Sequence, residues 1–280
     1  MKKILLYWLV IAICGGGVMF GAHIVYADIV ITPTRIVFEG RDRFASVTLA
    51  NPGDKHATYE MKWNFFKMQE DVNATYKRVD RSVTDFDLSK YIIFSPKRVR
   101  LAPGASQKIR LALRRPAEIP DGDYHVHLGF APIPDVVKDD LSKSSKSVVT
   151  VKINVGYTIP VILRSGEIDV KASIGLISLS RNNNNGLLKV AVPVKREGGP
   201  YSVLGHLMVY HIDNNGKQER VGEISNAQIF PEVDVRPFDV HLIKNITGGS
   251  LRIVMYRYDY DKNKSDVDNF IYTERVFPLE

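Results

Sequence analysis

The chain has 280 residues, 45% of them hydrophobic and 25% charged, which is typical of a globular protein and excludes a disordered or collagen-like chain. Its single cysteine, Cys14, excludes an intramolecular disulfide, a CxxC redox motif and a cysteine-based structural zinc site. The 38 Lys and Arg against 31 Asp and Glu give a net charge of +7. This moderate excess suits nucleic acid, anionic lipid or an acidic partner, and does not choose between them.

Residues 1–27 are predicted to form a secretory signal peptide. Two lysines precede an apolar run over residues 4–22, and the segment ends with Val25-Tyr26-Ala27, which suits cleavage by signal peptidase. The alternative is an uncleaved membrane anchor, because the apolar run approaches the length of a membrane-spanning helix. The small residues at its exit favour cleavage, which predicts an exported, cysteine-free mature chain that begins at Asp28 and has no stable membrane insertion.

The mature chain is predicted to be β throughout. Short runs with a two-residue alternation are separated by turn sequences such as Asn51-Pro52-Gly53-Asp54 and Ala102-Pro103-Gly104. Many short strands at this spacing indicate antiparallel β-sandwiches. The pattern ends near Arg164 and then starts afresh, which predicts two β-sandwich domains over residues 28–164 and 165–280.

The segment over residues 148–164 has the most regular alternation in the chain. Val149, Val151, Ile153 and Val155 fall on one face of a predicted strand, and polar residues fall on the other face. One interpretation is an ordinary core-facing strand of the first sandwich. The other follows from its place between a Ser- and Lys-rich loop and the domain junction, where a long apolar edge strand needs a partner to cover it. On that interpretation the strand is offered to another polypeptide.

Residues 32–164 resemble the periplasmic chaperones of the chaperone–usher pathway of pilus assembly. Several segments carry this resemblance in the same order as in the family, and together with the export signal they cover nearly half of the chain. These segments are Thr34–Phe38, Ser46–Asn51, Phe94–Arg98, Leu101–Leu111 and Gly122–Leu128 followed by Ile133-Pro134. The second domain matches the family only in its size and β character.

The resemblance implies a fold, a location and a mechanism. The fold is two immunoglobulin-like β-sandwich domains in an L or boomerang arrangement, and the location is the periplasm. In the family, the last strand of the first domain completes the fold of an incomplete pilus subunit, which the chaperone then delivers to an outer-membrane usher. The donor residues would be Val149, Val151, Ile153 and Val155, and no cofactor is implied.

The resemblance also implies an anchor for the terminal carboxylate of the subunit between the two domains. The family commonly uses an arginine on the first strand, which matches Arg35, and a lysine on the last strand of the first domain. The alternative for Arg35 is an ordinary solvated arginine of a strand. The lysine position falls here on Pro160, which has neither a charge nor a backbone N–H. The second donor therefore stays open among His127, Arg98 and Lys152.

Two further residues match a salt bridge that the family forms near its domain junction, namely Arg110 and Asp123; the alternative for them is an ordinary surface ion pair. His125 and His127 share a strand face, but no nearby set of Asp, Glu or Cys completes a metal site. We therefore expect no metal.

Other classes of function find little support in the sequence. No GxSxG, HExxH, Walker-type or GxGxxG motif lies in a suitable context, which argues against an enzyme. Basic residues are dispersed among acidic ones, which argues against nucleic-acid binding. The alternative from a different class is a secreted structural or adhesive β-sandwich protein of the cell surface. The sequence does not identify the cognate subunit, the pilus type or the oligomeric state.

Overall fold

The computed structural model describes residues 29–69, 76–84, 86–134, 154–182, 186–259 and 267–279. Residues 1–28, with the predicted signal peptide and its cleavage site, lie outside the described residues, as do Val149, Val151, Lys152 and Ile153. Within the described ranges the chain is almost entirely β, and no helix there is long and apolar enough to cross a membrane. The helical segments there are three short 3-10 turns, Arg81–Val83, Leu88–Lys90 and Val267–Phe270.

The first domain is a sandwich of two sheets. One sheet has the strand order β1-β3-β9-β7, the other has the order β2-β11-β10-β4-β8, and β5 pairs with β6 in a separate small hairpin. Alternate residues of both sheets point inward and form one apolar core, as the two-residue period requires. The strands are β1 (Val30–Thr32), β2 (Ile36–Phe38), β3 (Phe44–Ala50), β4 (Ala57–Asn64), β5 (Phe66–Met68), β6 (Tyr76–Arg78), β7 (Ile92–Ser95), β8 (Arg98–Leu101), β9 (Ser106–Leu113), β10 (Gly122–Ile133) and β11 (Tyr157–Ser165).

The second domain is also a sandwich with its own apolar core. In one sheet β14 pairs with β17 and with the two short strands β12 and β13, and the other sheet has the order β16-β15-β18-β19. The fold class predicted from the sequence, all-β with two immunoglobulin-like sandwiches, is confirmed. The strands are β12 (Lys171–Ile174), β13 (Ser178–Arg181), β14 (Leu188–Glu197), β15 (Val203–Ile212), β16 (Gln218–Ile229), β17 (Val235–His241), β18 (Ser250–Arg257) and β19 (Ile271–Pro278).

Apolar side chains of the first domain continue into the core of the second. Met68 of β5 and Ile162 of β11 are buried in the second domain's core, and Val37 and Tyr76 pack against it. At the same interface His125 of β10 stacks on Phe230, with 4.0 Å between the ring centroids. The two sandwiches therefore share a packed interface, and β11 contributes to both cores.

A buried ion pair lies at this interface. Asp123 of β10 and Arg164 of β11 lie opposite each other in the sheet, and Arg164 Nε donates to Asp123 Oδ1 at 3.0 Å, with both side chains almost fully buried. The pair also binds the second domain, because Asp123 Oδ2 accepts from the backbone N–H of Ser202 at 2.7 Å and Arg164 donates to the Ser202 carbonyl at 2.7 Å. Each buried charge thus has a charged partner and an added hydrogen bond.

This geometry corrects the prediction that Arg110 and Asp123 both take part in a salt bridge near the domain junction. Arg110 lies on β9 in the other sheet of the first domain, and its side chain is exposed. Asp123 does take part in an ion pair at the domain junction, but its partner is Arg164. The physical reason is the strand register, which places Arg164 directly across from Asp123 in the adjacent strand.

Replacing Asp123 by Asn should lower the free energy of unfolding by about 3–5 kcal/mol, because Arg164 would keep a buried charge without its counter-ion. Urea unfolding followed by circular dichroism measures this change. The matched control is Asp239→Asn, which removes the partner of Lys189 in an exposed pair at 2.9 Å and should cost less than about 1 kcal/mol. Equal effects of the two substitutions would contradict the assigned role of Asp123.

Candidate strand-binding cleft

The strand β11 has one edge that is only partly covered. Along its full length of nine residues it pairs with β10. On the other edge, the short strand β2 pairs in parallel with Val161, Ile162 and Leu163. In the described part of the chain no strand pairs with that edge over residues 157–160. Those residues therefore present backbone groups that another polypeptide can pair with.

The apolar face of β11 leaves the first domain's core at its N-terminal end. Ile159, Val161 and Leu163 are buried in that core, and Tyr157 packs against it. By the same alternation Val155 falls on this face, and its side chain is 45% exposed. The core-strand interpretation of the alternating segment thus holds for residues 157–163, whereas Val155 lies beyond the core.

Arg35 lies at the end of the uncovered edge. Since Ile36 of β2 is paired with Val161 of β11, Arg35 stands next to Pro160 in the parallel register. Its guanidinium enters the cleft between the domains, where Nη2 donates to Asn226 Oδ1 and, at 3.3 Å, to the Ala227 carbonyl. A cavity of about 310 Å³ lies there, lined by Pro33, Thr34, Arg35 and Val37 from the first domain and by His206, Ser225, Asn226 and Tyr258 from the second.

The charge of Arg35 lacks a carboxylate partner among the described residues, where no ion pair includes it. Its Nε and Nη1 atoms are buried and have no hydrogen-bond partner there. Burial lowers the pKa of Arg35 to about 10, so the guanidinium still carries its charge at neutral pH. A buried cation with unused donors is a favourable binding site for a carboxylate, which a guanidinium can hold through two parallel hydrogen bonds.

A second, smaller cavity lies beside Pro160. It has a volume of about 130 Å³ and shares Asn226 with the larger one. The ring of His127 lies edge-on to Phe66 at 5.1 Å and to Tyr76 at 5.5 Å, so rings form much of its wall. Its lining residues are Phe66, Tyr76, His127, Thr158, Pro160, Asn226 and Gln228.

His127 lies next to Pro160, where the resemblance implies a lysine, because the two residues pair directly in the sheet. Burial, reinforced by the charge of His125, lowers the pKa of His127 to about 3. The imidazole is therefore neutral at neutral pH. It can donate or accept one hydrogen bond, but it does not replace the positive charge of a lysine.

The other candidates for the second anchor are less well placed. Arg98 is exposed on β8, at the opposite edge of the sheet from β2, and pairs with Glu60 at 3.4 Å. Lys152 lies outside the described residues. Among the candidates that the structure describes, Arg35 lines the larger cavity of the cleft and His127 lines the smaller one.

Sequence reasoning missed the residues that the second domain and β5–β6 bring to the cleft. Asn226 is 191 positions from Arg35, and Gln228 donates to the Tyr76 hydroxyl at 2.5 Å across 152 positions. No local sequence pattern predicts contacts between residues so far apart in the chain. Arg164 directly follows the apolar run Ile159–Leu163, and a charged side chain that is buried at such a place needs a charged partner. No cluster of three or more potential metal ligands occurs among the described residues.

Comparisons with known proteins gave structural matches alone. No protein-family model and no curated protein sequence matches the chain. Among solved structures, the chain is similar to the Pseudomonas aeruginosa CupB2 chaperone (11% identity, 89% of this chain and 98% of that one, TM-score 0.41). It is also similar to the E. coli chaperone DraB (15%, 90% and 95%, 0.42), and to a chain in the complex of the Salmonella enterica SafA pilin with the SafB chaperone (10%, 92% and 99%, 0.43).

The lowered pKa of His127 predicts that the free energy of unfolding decreases as the pH falls. The unfolded state binds a proton near pH 6.5 and the folded state only near pH 3, so stability is lost as the pH falls through this window. Between pH 7 and pH 4 the free energy of unfolding of the wild type should decrease by about 2–4 kcal/mol more than that of His127→Gln. Urea unfolding at each pH measures this difference. The control His56→Gln, at an exposed position, should behave as the wild type. A His127→Gln variant with an unchanged pH dependence would contradict the assignment.

Proposed function

We propose that this protein is a periplasmic chaperone that binds incomplete fimbrial subunits by pairing its strand β11 with them. The observation that carries the proposal is the uncovered edge of β11, which leads directly to the unpaired charge of Arg35. The sequence resemblance over residues 32–164 supports the same function independently. We also propose that residues 1–27 direct export and are then removed, and that the chaperone delivers its subunits to an outer-membrane usher.

The direction of the bound strand follows from the position of β2 beside β11. A strand paired with residues 157–160 would lie in line with β2, which runs parallel to β11 and begins directly after Arg35. If the bound strand also runs parallel, its carboxyl terminus points at Arg35. If it runs antiparallel, its ammonium terminus would face a guanidinium and be repelled. The charge of Arg35 therefore favours a parallel strand that ends in a free carboxylate.

The apolar face supplies the second part of the interaction. A subunit that lacks a strand exposes both a sheet edge and a groove in its core, and each is costly in water. Val155 extends the apolar face beyond the core, and the sequence continues it through Ile153, Val151 and Val149. Burying four such side chains contributes at most roughly 6–12 kcal/mol, and association and ordering costs offset much of it.

The donor face is tested at Val155, which is exposed, so that a substitution there leaves the sandwich core intact. Val155→Asp should reduce capture of a co-expressed fimbrial subunit by at least about tenfold, because the groove would bury an unpaired charge. The matched control is Asn154→Asp, which adds the same charge at the adjacent exposed position on the other face. Copurification with equal yield from both variants would contradict the proposed donor face.

The anchor is tested with a double-mutant cycle on Arg35 and the terminal carboxylate of the subunit. Arg35→Ala should weaken binding of the native subunit by about 2–5 kcal/mol, and Arg35→Lys should recover only part of the loss. Amidation of the subunit's terminus should weaken binding to the wild type and have little effect on Arg35→Ala. The control Arg98→Ala should respond to amidation as the wild type does. Additive effects of the Arg35 substitution and amidation would refute the pairing.

A further inference from the structure

The second cavity of the cleft, the one beside Pro160, has a size and lining that suit a side chain. Its volume of about 130 Å³ is close to that of an engineered cavity of about 150 Å³ that holds a benzene molecule. Phe66, Tyr76 and His127 contribute rings to its wall, and Pro160 contributes an apolar ring without a backbone donor. An uncharged, ring-sized group therefore fits this space.

The wall of this cavity carries no net charge at neutral pH. His127 is neutral there, and burial raises the pKa of Tyr76 to about 12. Tyr76 is held in place by Gln228, whose side-chain N–H donates to its hydroxyl at 2.5 Å. A charged side chain would lose its hydration in this cavity and find no counter-ion among the described lining residues, which disfavours Lys, Arg, Asp and Glu.

The strand register places the cavity where the last residue of a bound strand would lie. Residues directly opposite each other in a sheet point to the same face, and Thr158 and Pro160 both line the cavity. A terminal residue opposite Thr158 would therefore direct its side chain into it. Two residues of extended chain span about 6–7 Å, so the carboxylate of that residue would reach toward Arg35, which stands next to Pro160.

We propose that this cavity binds the side chain of the partner's last residue and selects an uncharged residue with a ring or branched apolar side chain. The inference rests on the proposed function, because it assumes the parallel strand and the Arg35 anchor. It adds a specificity element to that site. Where the related chaperones place a lysine, this chain has Pro160 and an open space, so recognition of the partner's end would combine one charge with one shape-selective cavity.

The test uses the full mature chain and synthetic peptides of the form acetyl-Thr-Val-Thr-Val-Xaa with a free carboxyl terminus, where Xaa is Phe, Leu, Gly or Lys. An amidated version of the Phe peptide completes the set. Binding is followed by chemical-shift perturbation up to millimolar concentration. The Phe and Leu peptides should bind at least about tenfold more tightly than the Gly and Lys peptides, and amidation should remove most of the binding of the Phe peptide.

A variant that fills the cavity distinguishes the contribution of the cavity to binding from that of the Arg35 anchor. Thr158 is exposed on β11, and Thr158→Phe should place a ring in the cavity, so that the Phe and Gly peptides bind this variant with equal affinity. The matched control, Thr48→Phe on the outer face of β3, should keep the full preference for the Phe peptide. Thermal unfolding of both variants checks that they fold.

The outcomes distinguish the two proposals. If amidation weakens binding but the four free-acid peptides bind equally, the anchor stands and the terminal-residue pocket is overturned. If Thr158→Phe keeps the preference of the wild type, the preference arises elsewhere and the pocket is again overturned. If no peptide shifts any resonance near Arg35 at millimolar concentration, the proposed carboxylate anchor fails together with the pocket.

Discussion

The proposed binding site depends on a difference in length between β11 and β2, the strand that covers one of its edges. The nine residues of β11 pair fully with β10, yet β2 covers the other edge at three positions. An uncovered edge with an apolar face is an aggregation hazard, because it can pair with any exposed strand. Here the edge ends at the guanidinium of Arg35, whose Nε and Nη1 are buried without a hydrogen-bond partner among the described residues. In the proposed function, a bound strand brings its carboxylate to that point.

The second domain completes the cleft that this edge enters. It supplies Asn226, which accepts from Arg35, and Gln228, which holds Tyr76 at the small cavity. The position of these residues relative to β11 is fixed by the interface between the domains. The ion pair of Asp123 and Arg164, the contact of His125 with Glu232 at 2.7 Å and the burial of Met68 and Ile162 in the second core all contribute to it. The proposed anchor therefore depends on residues of both domains.

The sequence was sufficient to predict the fold class, whereas the donor role of the strand over residues 148–164 stays a prediction. A two-residue alternation constrains which side chains share a face, so the apolar face of residues 149–163 could be predicted without a structure. It could not show where the core ends, and the structure places that boundary between Val155 and Tyr157. The anchor role of Arg35 was predicted from a motif match and stays a prediction. The assignment of Arg110 to the junction salt bridge was wrong, because the partner of Asp123 depends on the strand register, which places Arg164 opposite it.

The most direct test of the account is amide hydrogen exchange of the chain with and without a bound fimbrial subunit. Pairing at the uncovered edge predicts that amides within residues 154–160 become protected in the complex, while those of β7, an edge strand of the other sheet, exchange as before. Protection at β7 or β8 with no change over residues 154–160 would contradict the central claim that β11 is the strand that binds the partner.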